Sequence, residues 1–135
     1  MQVIEIPFVK LVGIEDENST LFLNFKHNVK NHIETIHASA QFTLAETQSG
    51  VHLQKLFPEL VGKVVPVLRD AQIKYKKPAL KKIFAYASCT NESIDKFKEQ
   101  FDKKGRGSIL VSVEIKDVNG VVTSQGFFNW FVQTI

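Results

Sequence analysis

The sequence predicts an α+β fold in which one long central helix is wrapped by a curved antiparallel sheet, and three observations predict it. Residues 38–56 run without a proline until Pro58, and their apolar members (Ala38, Ala40, Phe42, Leu44, Ala45, Val51, Leu53, Leu56) spread around most of a helix's circumference. A helix apolar on most sides needs cover on all of them. The segments that follow carry alternating or continuous apolar runs, the pattern of strands. Finally, no Gly-, Ser- or Pro-rich linker divides the 135 residues, which suffice for one packed core but not two ordinary domains. Residues 1–135 are therefore read as a single domain.

In chain order, Phe8 to Gly13 reads as a short helix closed by its glycine. Residues 20–25 alternate Leu21, Leu23 and Phe25 against Phe22 and Asn24, a strand packed on both faces. A loop over 26–36 leads to His37 and the central helix, which at 1.5 Å per residue is roughly 30 Å long and crosses a small domain. Strands follow over residues 64–75, 83–90, 108–116 and 121–132. Asp117-Val118-Asn119-Gly120 is a hairpin signal, because Asn-Gly tolerates positive φ. Between two of these strands, Ile94, Phe97 and Phe101 recur at helical spacing, implying an exposed helix with one apolar stripe, capped by Asn91 or Ser93. Lys103-Lys104-Gly105-Arg106-Gly107 reads as a charged turn. Hairpin-connected strands build an antiparallel sheet, and a strongly twisted one curls around a helix. That is the layout of a hotdog fold.

Composition excludes several functions. The chain is 44% hydrophobic and 23% charged, as globular proteins are. No run of about 18 apolar residues marks a membrane span and no signal-like start is visible, so a cytoplasmic protein is expected. Cys89 is the only cysteine; it permits no intrachain disulfide, suits a reducing compartment, and is a buried strand thiol or, alternatively, a nucleophile. His27, His32, His37 and His52 lack the carboxylate or thiolate spacing of a zinc site, so no metal is expected. The net charge is +3, yet Lys63, Arg69, Lys74, Lys76, Lys77, Lys81 and Lys82 fall together with only Asp70 among them. They suit either a polyanionic ligand or a solvated strand edge. No reading helix or aromatic ribonucleoprotein motif accompanies them, so nucleic acid is not expected as a partner.

The stretch from Asn31 to Glu46 resembles the signature of hotdog thioesterases related to the phenylacetate-pathway enzymes. Those proteins carry an Asn, a small loop, a His-Gly-Gly or similar triplet opening the central helix, and an Asp or Glu on that helix. The counterparts here are Asn31, His37-Ala38-Ser39 and Glu46. The similarity extends through Ile73 to Ala79 and the closing hairpin at Gly120. Two departures stand out: Glu34 occupies a loop position where relatives have Gly, and Ala38-Ser39 replaces the Gly pair.

The resemblance implies hydrolysis of an acyl-CoA or aryl-CoA thioester, with coenzyme A entering as part of the substrate or replaced by an acyl carrier protein, and no separate cofactor. It also implies a homodimer, or a dimer of dimers, in which Asn31 and the helix start of one chain face Glu46 of the partner. Physical chemistry gives the stretch a mechanism. Free amides near Ala38, Ser39 and Ala40 at a helix N-terminus can hold a thioester oxygen. Glu46, unpaired on an apolar helix, acquires a raised pKa and serves as general base or as nucleophile. Asn31 orients the water or the carboxylate, and His37 orders the loop or polarises the carbonyl. Ala38, Ser39 and Phe42 are expected to line the substrate, and Lys76 and Lys77 to hold its phosphates. The plainer readings are a solvent-facing or lysine-paired Glu46, a turn-forming Asn31, a structural His37 and a first-turn Ser39. From another functional class stands a non-catalytic acyl-CoA-binding or regulatory module. The spacing of His37 and Glu46 does not resemble that of hotdog dehydratases.

Overall fold

The computed structural model describes residues 2–135. Its central helix, α2, spans Ala38–Leu56, as composition predicted; a short helix α1 (Pro7–Val12) precedes it and α3 (Asn91–Lys104) follows. Six strands, β1 (Glu15–Glu17), β2 (Thr20–Leu23), β3 (Val64–Tyr75), β4 (Ile83–Ser88), β5 (Arg106–Asp117) and β6 (Val122–Thr134), form one antiparallel sheet in the order β1-β2-β4-β5-β6-β3. This is the expected helix-in-sheet arrangement.

The sheet grips α2 through period-2 alternation. On β5, Ile109, Val111, Val113 and Ile115 are buried against the helix side while Leu110 is exposed. The buried surface of α2 is not purely apolar: Gln41, Thr43, Thr47, Gln48 and Ser49 are buried too. Among the described residues no buried side-chain nitrogen or oxygen is left without a partner. Gln48 Oε1 accepts from the Leu21 amide at 2.7 Å and its Nε2 donates to the Ser19 carbonyl at 3.0 Å. Gln41 Oε1 accepts from the Thr123 and Ser124 hydroxyls, each at 2.9 Å. These two glutamines, two helical turns apart, tie α2 to β2 on one side of the sheet and β6 on the other. Each bond contributes about 1 kcal/mol net, and leaving a partner unmatched costs about 1–3 kcal/mol.

Several local expectations need correction. β1 was not foreseen; its all-acidic run Glu15–Glu17 pairs with β2 through a tight turn with Asn18 and Ser19 at φ 53° and 70°. The strand expected over 83–90 stops at Ser88. The cap of α3 is Thr90, whose hydroxyl accepts from the Ser93 amide at 3.1 Å, rather than Asn91 or Ser93. Lys103 and Lys104 end α3 and Arg106 and Gly107 begin β5, so residues 103–107 are not a free charged turn. The apolar stripe of α3, as its spacing implied, is the face that docks: Phe97 is buried, its ring 5.0 Å from Phe57 and 5.5 Å from Phe101. Gly107 permits that approach, since a Cβ there would lie 3.0 Å from Gln100 Oε1 and 3.2 Å from the Phe97 ring. In the last hairpin only Gly120 takes positive φ (80°), while Asp117 Oδ1 accepts from the Asn119 and Val121 amides. The turn is thus a three-residue loop with an adjoining bulge, not a two-residue Asn-Gly turn.

The sheet ends differ. β1 is three residues long, whereas β3 offers a twelve-residue edge on which Val65 and Val67 are about half exposed. Among the described residues no helix is long and apolar enough to cross a membrane.

Candidate active site

The N-terminal end of α2 is assembled from three segments. His37 caps the helix: its Nδ1 accepts from the Ser39 amide at 2.9 Å, and its own amide donates to the Val29 carbonyl at 2.7 Å. The preceding loop is organised by Asn31, whose Oδ1 accepts from the Ile33 and Thr35 amides (3.0 Å each) and whose Nδ2 donates to Thr35 Oγ1 at 2.7 Å. Three of the four hydrogen bonds open to this side chain are thereby spent inside its own loop. Glu34 in that loop stands at φ 64° and pairs with Lys30 at 3.2 Å. A left-handed backbone is the reason glycine suits this position. The third segment is the end of β3 and the residues after it: the Tyr75 hydroxyl donates to the Ala38 carbonyl at 3.0 Å, and the Ile36 amide to the Ala79 carbonyl at 2.9 Å.

Lys76 and Lys77 are exposed beside this end of the helix, held by their amides to the Thr123 carbonyl; Lys76 Nζ donates to Gln125 Oε1 at 3.0 Å. Of the amides expected to form an oxyanion site, Ser39's is taken by the His37 ring, and Ala40's by the His37 carbonyl at 3.0 Å. Within one chain the expected trio therefore reduces to the Ala38 N–H. An accepting side chain at the cap satisfies the very amides that a ligand would use.

Glu46 lies eight residues further along, about 12 Å at 1.5 Å per residue. It is half-buried, and burial pushes its carboxyl above the usual range. It takes part in none of the salt bridges among the described residues. Its side chain borders a cavity of about 410 Å³ between α2, the N-terminal segment, and the adjoining ends of β3 and β6. Among the described residues on that wall Glu46 is the only ionisable one; Val9, Leu53, Phe57, Val64 and Trp130 are representative of the rest.

Asn31, His37, Ala38, Ser39, Phe42, Lys76 and Lys77 are all absent from this lining. Phe42, expected at the substrate, packs its ring 5.6 Å from that of buried Phe128. Sequence reasoning missed Trp130 and the N-terminal wall. Gly50, one turn after Glu46, was the available signal. Cys89 lies past the end of β4, half-buried beside Leu110 and Phe127, and burial pushes its thiol up to about 11. A thiol held protonated at neutral pH is a poor nucleophile. No group of three or more His, Cys, Asp and Glu among the described residues is arranged to hold a metal ion.

A protein-family model, "Domain of unknown function (DUF4442)", matches residues 7–132. No curated protein matches the chain. Several solved structures do. One is a Pseudomonas aeruginosa protein of unknown function, called a probable thioesterase, at 22% identity and TM-score 0.82 over 98% of this chain and 91% of that one. A Bacillus halodurans protein crystallised with CoA is 22% identical at TM-score 0.72, covering 93% and 74%. A Thr-to-Ala variant of a hypothetical thioesterase from Streptococcus pneumoniae is 20% identical at TM-score 0.66, covering 90% and 89%. At these identities the shared property is the fold.

Proposed function

Because the chain belongs to the family described as a domain of unknown function (DUF4442) and has the hotdog fold, we propose that it hydrolyses an acyl-CoA thioester to free acid and CoA with Glu46 as its catalytic carboxylate. The observation that carries this reading is a desolvated acid that is the only ionisable group among the described residues on the wall of a largely apolar cavity. Ionised Glu46 takes a proton from water as the water oxygen attacks the thioester carbon. The tetrahedral oxyanion then collapses, breaking the C–S bond, and the departing thiolate takes up the proton. Direct attack by Glu46, giving a mixed anhydride that water then opens, reaches the same products.

A single carbonyl does not reach both the Ala38 amide and a carboxylate borne about 12 Å along the same helix. This separation supports a homodimer, or a dimer of dimers, in which Asn31, His37 and the Ala38–Ser39 helix start of one protomer complete the Glu46 site of its partner. The long β3 edge is the surface suited to that pairing. Lys76 and Lys77, fixed beside the helix start, supply charge for the CoA phosphates or an acidic carrier protein, and a CoA-bound relative of the same fold supports the first. Such a reaction needs no added cofactor, suits the cytoplasm, and involves neither nucleic acid nor membrane.

One observation favours a second reading, a non-catalytic acyl-CoA-binding module: the Ser39 amide is already occupied by His37. Thiol release from a panel of acyl-CoAs separates the two. Turnover by the wild type that Glu46→Gln abolishes supports the hydrolase; CoA-ester binding without thiol release supports the module.

A further inference from the structure

The cavity beside Glu46 is elongated. Its α2 positions Thr43, Glu46, Thr47, Gly50 and Leu53, continued by Phe57 just past the helix end, recur at helical spacing and so form one stripe. From Glu46 to Phe57 that stripe runs about 16 Å at 1.5 Å per residue. At roughly 1.2 Å per bond, as in an extended backbone, it accommodates a chain of about a dozen bonds. A cavity of about 410 Å³ leaves room for such a chain. A two-ring or phenylacetyl-sized group fills only its upper part.

Width at the middle is set by Gly50. It sits one turn below Glu46 on the same face, and a Cβ there would lie 3.7 and 3.8 Å from Trp130 Cζ2 and Cη2. That is ordinary contact for a methyl, while a branched side chain would project into the lumen or against the ring. The ring has little freedom to retreat. Trp130 Nε1 donates to Ser49 Oγ at 2.8 Å, and Ser49 Oγ donates to the Glu46 carbonyl at 2.6 Å. Charge selects the head group: an ionised Glu46 with no cation on the described wall disfavours a carboxylate and accepts a neutral ester or thioester.

We propose that this cavity binds the medium-length aliphatic chain of a neutral acyl derivative, and that Gly50, backed by the fixed Trp130 ring, determines the chain length accepted. The free acid, once formed, is repelled by Glu46 and leaves. The thioester identity of the head group rests on the hydrolase reading; occupancy by the chain is read separately.

Trp130 is the only tryptophan, so its fluorescence reports on the cavity directly. The wild type is titrated with 1-decanol, 1-butanol and decanoate below their aggregation thresholds. Decanol produces a saturable spectral change, butanol at least tenfold more weakly, and decanoate several-fold more weakly than decanol. Gly50→Val weakens decanol binding at least tenfold and lowers the ratio of decanoyl-CoA to butyryl-CoA turnover by as much, with Gly50→Ala between it and the wild type. Absence of a saturable Trp130 response, equal affinity for both alcohols, or a Gly50→Val protein that binds decanol like the wild type overturns the proposal. If Gly50→Val does not fold by circular dichroism, the wild-type titration and Gly50→Ala decide. Decanol binding without thiol release sinks the hydrolase reading alone. Thiol release indifferent to chain length, with an unresponsive Trp130, sinks the chain pocket alone.

Discussion

Over its first turn α2 meets polar partners everywhere: His37 holds the Ser39 amide, Tyr75 reaches the Ala38 carbonyl, and Asn31 spends its amide group on the loop behind them. From Glu46 onward the same helix borders an apolar cavity, with Gly50 where a side chain would fill it. The first region matches nearly every donor to an acceptor, which stabilises geometry; the second leaves space and a desolvated acid, which costs stability. Such a cost, borne where the packing is incomplete, is the physical ground on which the proposed reaction is placed in the second region. The first region frames it.

The strongest way to break this contrast is Glu46→Gln. Thiol release is expected to fall about a hundredfold or more, while the midpoint of denaturant unfolding at pH 7 rises. Because burial raises the Glu46 pKa above 4.5, the folded chain holds this proton over a pH range in which the unfolded chain has released it. Folded stability from this group is therefore lost as pH climbs from 4.5 through the raised value, and the glutamine variant lacks that slope. Activity, needing the ionised form, rises through the same window. His52 works in the other direction: burial, then Lys55, lowers its pKa below 6.5, so its contribution is lost as pH falls through that range. Comparing wild type and Glu46→Gln across pH isolates the first slope from the second.

Next in size is Gln48→Leu. It leaves the Leu21 amide and the Ser19 carbonyl without their partner, and unfolding free energy is expected to drop by about 2–3 kcal/mol; a chemical-denaturation curve matching the wild type would sink the clamp. The double variant Lys76→Ala, Lys77→Ala should raise KM for acyl-CoA about tenfold at low salt with kcat little changed, as loss of a charge-assisted contact of about 1.4 kcal/mol predicts, and the effect should shrink at high salt. A KM indifferent to both would place the phosphates elsewhere. Smallest is Glu34→Gly, which relieves the left-handed strain at φ 64° and gives up an exposed ion pair. A stabilisation of under about 1 kcal/mol is expected, read as a slightly higher melting temperature.

Much of this fold was legible because α2 and the four strands after it carry periodic apolar patterns long enough to outweigh local ambiguity, and the observed bounds of α2 and β3 coincide with those read from composition. The short acidic β1 was illegible: three charged residues carry no apolar alternation, and only pairing with β2 makes them a strand. At the site, Glu46 was legible as an acid on an apolar helix. Phe42 misled, because helical periodicity does not say which neighbour a ring will meet, and Phe128 comes from a strand 86 positions away in the chain.

Local chemistry thus determined most of the helix and strand segments and the helix start at His37, since each depends on residues within a turn or two. The tertiary structure alone decided that the Ser39 amide is occupied, that the cavity lies toward the far half of α2, and that Gly50 faces Trp130. The last two features are made by segments brought together from distant parts of the chain, and spacing along a sequence carries no record of which distant surfaces fail to touch; the first is the local geometry of the His37 cap.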